Sequence, residues 1–324
     1  MANEEYMTDQ IITERIQRID VINEKLGLKM RGTLLTGTAI PPALYEQLKR
    51  ACNEYLLACV ATHTGKYLKY EDDCLLSYEE KIKQLPNITP NGIIMPKRET
   101  NLQFNRIHQA LVAIIKNLNI DDLLEKIHLP LALRLSDGES KSEITNRPLA
   151  VTKWHIETWA GQCNDAVIGI PIMGDLENTT VEFSEPIGPI PDNFLDPVYD
   201  FNEGPKRIEG TKLYDAKPAF GNVYMWDEYC IHRTVKHGGR SRLSIDICIS
   251  YKNHLDSDAQ NHGHERSINM IPLEEWYDVG NSTMLVENQT FAECIAQFSG
   301  NKVKNKRPSC TYTPGGLQRV PIIG

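Results

Sequence analysis

The chain has 324 residues, 41% apolar and 24% charged, which is the make-up of an ordinary globular protein. That length suffices for one large core with decorations or for two domains. Forty-three acidic residues against 35 basic ones give a net charge of −8, so no basic face is offered to a nucleic acid, and the cluster Lys302, Lys304, Lys306 and Arg307 reads as a solvated tail.

The first third reads as helical. Thr8 to about Leu26 places Ile11, Ile12, Ile16, Ile19, Ile22 and Leu26 close to helical period. Pro41 and Pro42 open a second helix through Leu48, Tyr55 and Leu56 to near Gly65, and proline suits a first turn. Asn101 to Asn117 predicts a third, with Phe104, Ile107, Leu111, Ile114 and Ile115 on one side.

The pattern changes near Leu129. LPLALRL, LAVTKWHIETW, DAVIGIPIM, TTVEF, GNVYMW, CIHRTV and RLSIDICIS are short runs rich in β-branched and aromatic residues, punctuated by Gly, Pro, Asn and Asp. Such spacing predicts a sandwich or barrel of short strands. Residues 185–218, full of Pro, Gly and Asp, interrupt it as a long loop or insertion. After His254 a helix is expected around Phe291–Phe298, followed by a Pro/Gly-rich end. This divides the chain into a mainly helical region 1–128, a strand-rich core 129–254 and a C-terminal extension 255–324.

Eight cysteines, at 52, 59, 74, 163, 230, 248, 294 and 310, form no CxxC pair, which speaks against a zinc ribbon or a thioredoxin-type site. They fit reduced thiols in a cytosolic protein. MANEEYMTDQ is acidic and polar, unlike a signal peptide, and the apolar runs are too short to span a bilayer. The expectation is a cytoplasmic protein that binds neither membrane nor nucleic acid, with homo-oligomerisation left open.

Two imidazoles and one carboxylate on one face of a metal, with the opposite face free, suit non-haem Fe(II). A His-X-Asp/Glu pair on a strand supplies two of them, because residues i and i+2 share a face. His155 and Glu157 make such a pair, as do His254 and Asp256; about one is expected by chance from nine histidines and 43 acidic residues. Downstream context separates the two. His232 lies beyond the first pair in a strand-like run, and Arg242 comes ten residues later in Arg242-Leu243-Ser244. Arg242, Ser244 and Asp246 share one strand face and Leu243, Ile245, Ile247 and Ile249 the other. An arginine and a hydroxyl on one face can grip a carboxylate in forked geometry.

His155-X-Glu157, the distal His232 and Arg242-X-Ser244 together resemble the Fe(II)/2-oxoglutarate-dependent dioxygenase superfamily over roughly residues 129–251. Gly174-Asp175 with Thr179–Phe183 resembles that family's turn into a middle strand, and His155 to Gly161 resembles a subgroup found in bacterial carbohydrate biosynthesis clusters. The resemblance implies an α+β chain whose core is a double-stranded β-helix, a cupin-like jelly roll, with the N-terminal helices packed around it. It implies Fe(II) on His155, Glu157 and His232, 2-oxoglutarate held by Arg242 and Ser244, O₂ as co-substrate, and hydroxylation of a small metabolite in biosynthesis. The family more often carries Asp where this chain has Glu157. Arg240 competes with Arg242 as the carboxylate anchor. Arg134 reads either as a substrate contact or as the partner of an internal carboxylate, Trp159 and Gln162 as pocket lining, Trp226 as core, and His237 as an exposed loop residue. His262 and His264 beside His254 leave a second metal site conceivable. The competing functions are a cupin-like sugar isomerase or epimerase and a non-catalytic jelly-roll protein that binds metal or carbohydrate.

Overall fold

A computed structural model describes residues 5–29, 31–89, 91–138, 152–160, 165–252, 270–279, 310–313 and 316–319. It is a mixed structure of helices and antiparallel sheets. Helices α1 (Glu5–Lys25), α2 (Pro42–Thr64), α3 (Cys74–Lys83) and α4 (Asn101–Leu118) dominate the first third, and α5 (Leu273–Val279) comes late. Among the described residues no helix is long and apolar enough to cross a membrane.

The three predicted helices form within a few residues of their expected ends. Pro42 sits in the first turn of α2, and Gly65 closes that helix in a left-handed conformation that glycine tolerates without strain. Helix α3 is an addition to those three. Asp73 caps it by accepting a hydrogen bond from the Leu76 N–H at 2.8 Å.

The strands are β1 (Leu35–Ala39), β2 (Leu124–His128), β3 (Ala132–Ser136), β4 (Ala166–Gly174), β5 (Thr179–Ile187), β6 (Gly210–Leu213), β7 (Asn222–Asp227), β8 (Ile231–Lys236), β9 (Arg242–Tyr251), β10 (Met270–Pro272), β11 (Cys310–Thr313) and β12 (Gly316–Arg319). Seven make a large sheet in the order β1-β7-β4-β9-β2-β10, with β3 also on β9. Long β9 pairs with β4 along one edge and shares its other edge between β3, opposite Arg242–Asp246, and β2, opposite Ile249–Tyr251. A smaller sheet runs β6-β5-β8, and β11 pairs with β12 as a separate hairpin. The large sheet therefore recruits β1 and β2 from before residue 129 and β10 from beyond 254. Backbone pairing crosses the boundaries that hydrophobic texture alone suggests.

The alternation along β9 sorts its two faces. Leu243, Ile245, Ile247 and Ile249 pack with Leu133, Ile168 and Ile170 against helical residues such as Leu48, Tyr55 and Leu111. The opposite face, with Val167 and Trp226, meets a second cluster containing Phe183 and Ile231 of the small sheet. The helices thus cover one side of the large sheet and the small sheet covers the other.

The 185–218 segment is not a bare loop. Strand β5 runs on to Ile187 and pairs there with β6. Two 3-10 turns, at Asp192–Leu195 and Gly204–Arg207, carry Phe194, Leu195, Val198 and Phe201 into the second cluster. Gly204 lies so close to the Trp159 ring that a β-carbon there would overlap it. Gly204→Ala should therefore lower stability by about 1–3 kcal/mol, whereas Gly210→Ala, which meets nothing within 4 Å, should be near neutral. Urea midpoints of the two variants give the comparison.

Candidate metal centre

His155 and His232 are joined through their backbones. The N–H of His155 donates to the carbonyl of His232 at 3.0 Å, and the N–H of His232 donates back at 2.9 Å. This single antiparallel bridge brings the two rings to 4.3 Å between centroids. The Nδ1 of His155 lies 2.7 Å from the Lys153 carbonyl, and the Nδ1 of His232 lies 2.9 Å from the Cys230 carbonyl. A carbonyl only accepts, so each Nδ1 carries a proton, and a ring in its neutral form keeps its Nε2 lone pair for the space between them.

Glu157 supplies the third group. Strand alternation predicts that it shares a face with His155, but the strand stops at the bridge. Residues 157–160 turn into a 3-10 helix, begun by a hydrogen bond from the Glu157 N–H to the Glu228 carbonyl at 3.1 Å. Ile156 and Trp159 turn into the second cluster, and that apolar packing is satisfied better by a turn than by an extended run. The carboxylate still reaches the histidines. Glu157 Oε1 is 3.4 Å from His232 Nε2, and one ligand atom from each of the three residues lies within 4.8 Å of the others.

Burial, and then the neighbouring His232, push His155 down to about 4, so it is neutral at pH 7. Burial alone would raise Glu157, but the hydrogen bond and charge interaction with His232, with His155 and Arg134 behind, hold it down at about 2. Two lone pairs thus face a carboxylate at short range. That arrangement is electrostatically poor without a cation and fits one well.

Aromatic rings wall the site. Phe201 stacks on His155 at 4.7 Å and 7°, while Trp226 and Phe183 lie 5.7 and 6.3 Å from His232. None of these carries a local sequence signal for such a role; Phe201 comes from the middle of the 185–218 segment. Phe183 and Trp226 also line a shallow cleft between the two sheets, with Arg242, Ser244 and Asp246 of β9 along it. Arg242 is 3% exposed, and its one side-chain hydrogen bond among the described residues is 3.4 Å from Nη2 to Ser136 Oγ. Arg242 Nε and Ser244 Oγ are buried without a partner among the described residues. Burial pulls the Arg242 guanidinium down to about 10, with Asp246 opposing the shift, and it remains charged at neutral pH.

The other candidates separate clearly. Arg240 is engaged elsewhere: its Nε donates to Glu79 at 2.7 Å and its Nη2 to the Leu76 carbonyl. Arg134 pairs with Asp246 at 2.6 Å and donates to the Asn91 carbonyl at 2.9 Å, which is the internal-carboxylate alternative. Trp159 does not line the cleft. It is fully buried, with its indole N–H donating to the Phe194 carbonyl and its ring edge-on to Phe194, so its role is to pack the insertion. Trp226 lies in the core and also borders the cleft. His237 is exposed. Gln162, His254, Asp256, His262, His264 and Phe291–Phe298 lie outside the described residues.

No family model matches the sequence. No curated protein matches it either. Among solved structures the chain is similar to the non-heme alpha ketoglutarate dependent epimerase SnoN from nogalamycin biosynthesis, at 11% identity over 73% of this chain and 83% of that one, with a TM-score of 0.33. It is also similar to the non-heme alpha ketoglutarate dependent carbocyclase SnoK from nogalamycin biosynthesis, at 8% identity over 74% and 92%, with a TM-score of 0.33. Likeness at that level decides neither fold nor activity.

The titrations give a sign. His155 and the fully buried His108, whose Nε2 faces the Trp276 carbonyl, are both pushed by burial from 6.5 to about 4. The unfolded chain therefore binds protons more readily than the folded one in that window. Stability of the metal-free protein should be full above pH 6.5 and fall as pH drops towards 4, by up to about 3 kcal/mol per histidine. Glu157 adds a second loss, from 4.5 towards 2. Urea midpoints recorded from pH 7.5 to 4 test this; a flat profile would contradict it.

Proposed function

We propose that the chain is a non-haem Fe(II)/2-oxoglutarate-dependent dioxygenase that hydroxylates a small metabolite in biosynthesis. Its two facing sheets are read as a cupin-like double-stranded β-helix, with residues 129–254 as the catalytic core. The observation that carries this reading is a pairing of two incomplete sites. Two imidazoles and a carboxylate converge at one place, and a buried arginine and serine with unmet hydrogen bonds line the cleft beside them. A dicarboxylate reaching from a metal to Arg242 completes both.

His155, Glu157 and His232 would hold Fe(II) on one face. Arg242 would grip the distal carboxylate of 2-oxoglutarate through its guanidinium, with Ser244 donating its hydroxyl. When bound, iron, 2-oxoglutarate and O₂ supply the oxidising chemistry that protein side chains lack. The chain's own part is to fix geometry, to hold both Nδ1–H groups as donors to backbone carbonyls, and to shield the site with Phe183, Phe201 and Trp226. Glu157 meets the metal ionised, because its carboxyl is held far below neutral pH. Segment 185–218, which brings Phe201 over His155, would shape the substrate's approach in this reading. The reading takes the protein as cytoplasmic, with a small molecule as its substrate.

Three variants test it. His155→Ala and His232→Ala should each abolish 2-oxoglutarate-dependent succinate formation while the far-ultraviolet circular dichroism stays intact. Arg242→Ala should cost about 2–3 kcal/mol in co-substrate binding, roughly a hundredfold in the 2-oxoglutarate requirement. Undiminished turnover in either histidine variant would remove the ligand assignment. Metal binding with no succinate from a range of small metabolites would favour a non-catalytic binding protein.

A further inference from the structure

Behind the metal ligands lies a buried set of charges that the proposed reaction does not use. Arg15 on α1 is 1% exposed, and Asp227, the last residue of β7, and Glu228, the first of the connection to β8, are both at 0%. Arg15 Nη1 donates to both carboxylate oxygens of Asp227, at 3.2 and 3.1 Å, and to the Asp165 carbonyl at 3.3 Å. Its Nη2 lies 3.5 Å from Glu228 Oε1, and its guanidinium carbon sits 3.8 Å from the centre of the Tyr229 ring. Arg18, one turn further along the helix, lies 3.7 Å from Asp165 Oδ1. Asp165 Oδ2 in turn accepts from Ser250 Oγ and the Tyr251 N–H on β9.

The connection that Arg15 grips is a tight turn. It is closed by a hydrogen bond from the Cys230 N–H to the Asp227 carbonyl at 2.9 Å and by one from the Tyr229 N–H to Asp227 Oδ1 at 2.9 Å. Two of its carbonyls run directly to the metal ligands. Glu228 O accepts the Glu157 N–H, and Cys230 O holds His232 Nδ1. This short piece of backbone thus fixes both the carboxylate ligand and the orientation of the second imidazole. Buried ion clusters are a poor source of net stability, since apolar side chains of similar size serve as well. What a planar, forked guanidinium adds is fixed geometry.

We propose that Arg15 is a positioning residue for the metal centre: by clamping Asp227 and Glu228 it sets where Glu157 and the Nε2 of His232 point. The inference rests on the metal reading above. It makes α1, which touches none of the three ligands in the described contacts, part of the machinery that shapes them.

The test is titration of the full-length, metal-free chain with Co(II), whose visible absorption bands report ligand number and geometry. Arg15→Lys keeps a cation but loses the fork. It should fold with unchanged far-ultraviolet circular dichroism, bind Co(II) at least tenfold more weakly and show altered bands. Ile19→Ala, a fully buried position on the same helix, should lower stability yet leave Co(II) affinity and bands as in the parent. Where Arg15→Lys does not fold, the triple change Arg15→Met, Asp227→Asn and Glu228→Gln removes the three charges together and should show the same weakened, altered binding. Parent-like Co(II) binding in Arg15→Lys or in the folded triple variant overturns the proposal, and so does an equal loss in Ile19→Ala. Absence of Co(II) binding by the parent chain sinks the metal reading itself and is seen before any variant is made.

Discussion

Two backbone hydrogen bonds between His155 and His232 are the constraint on which the candidate site depends. They bring an irregular segment, residues 152–160, into register with one end of β8. With that register fixed, the rings lie close together, each Nδ1 finds a carbonyl from its own stretch of chain, and both lone pairs turn inwards. Glu157 obeys the same register, because its N–H is tied to the next turn of backbone. A free carboxylate and two imidazole lone pairs do not attract one another. Only a cation, or a proton taken up by a ring, makes the cluster favourable. Rigid placement of groups that repel unless something binds between them is how a preformed metal site is built.

The same economy governs the arginines. Arg240, Arg134 and Arg242 lie near one another in the fold, and the sequence alone favours Arg242 as anchor with Arg240 competing and leaves Arg134 open between two roles. Burial and partners separate them. Arg240 reaches outwards to Glu79 and a carbonyl on α3, where it ties the start of β9 to the helical layer. Arg134 sits opposite Ser244 in the β3–β9 ladder and is neutralised by Asp246. Arg242 is left almost wholly enclosed, with one long hydrogen bond to a serine and, among the described residues, an unpartnered Nε. An enclosed cation without a carboxylate against it is costly, and chains retain one where a ligand brings the missing charge.

Much of this is legible in the sequence, and what is not has a physical reason. The alternation in β9 is readable because one of its faces packs on helices and the other faces the cleft, so period two survives undisturbed. Strands β4, β5, β7 and β8 are readable by composition instead, as short runs rich in β-branched and aromatic residues between turn formers. The run around His155 misleads because Ile156 and Trp159, which a strand would send to opposite faces, are brought into one cluster by a turn. Closeness in sequence to the ligands also points Trp159 at the pocket, yet Phe194 and Gly204, brought in by the insertion, enclose it completely. Helix α3 has its signal in Asp73 ahead of Cys74-Leu75-Leu76. Strands β1 and β2 cannot be placed from the sequence, since nothing local tells a five-residue strand that its partner is nearly two hundred residues away in β7, or over a hundred away in β9. Phe201 has no local signature either; its stacking on His155 is a product of the fold.

Two kinds of polar cluster can be told apart among the described residues, and the contrast bears on function. In the first set every charge has its complement nearby. Arg15 meets Asp227 and Glu228, Arg134 meets Asp246, and Glu79 receives Arg240 and the Ser241 N–H. These clusters lie at junctions between elements, where α1 meets the β7–β8 turn, β3 meets β9, and α3 meets the start of β9. Most of their lost hydration is offset within the protein, Arg15 Nε alone among these charged groups lacking a partner among the described residues, and they hold elements in place. In the second set the complement is missing. The imidazole Nε2 atoms face a like-natured carboxylate, and Arg242 Nε and Ser244 Oγ face the cleft. Burial differs within the first set: Arg15, Asp227 and Glu228 are as enclosed as Arg242, while the Arg134 and Arg240 side chains are 21% and 51% exposed. What marks the cleft is that Arg242 Nε and Ser244 Oγ, unpartnered among the described residues, lie there with no carboxylate against them, beside the converging imidazoles and Glu157.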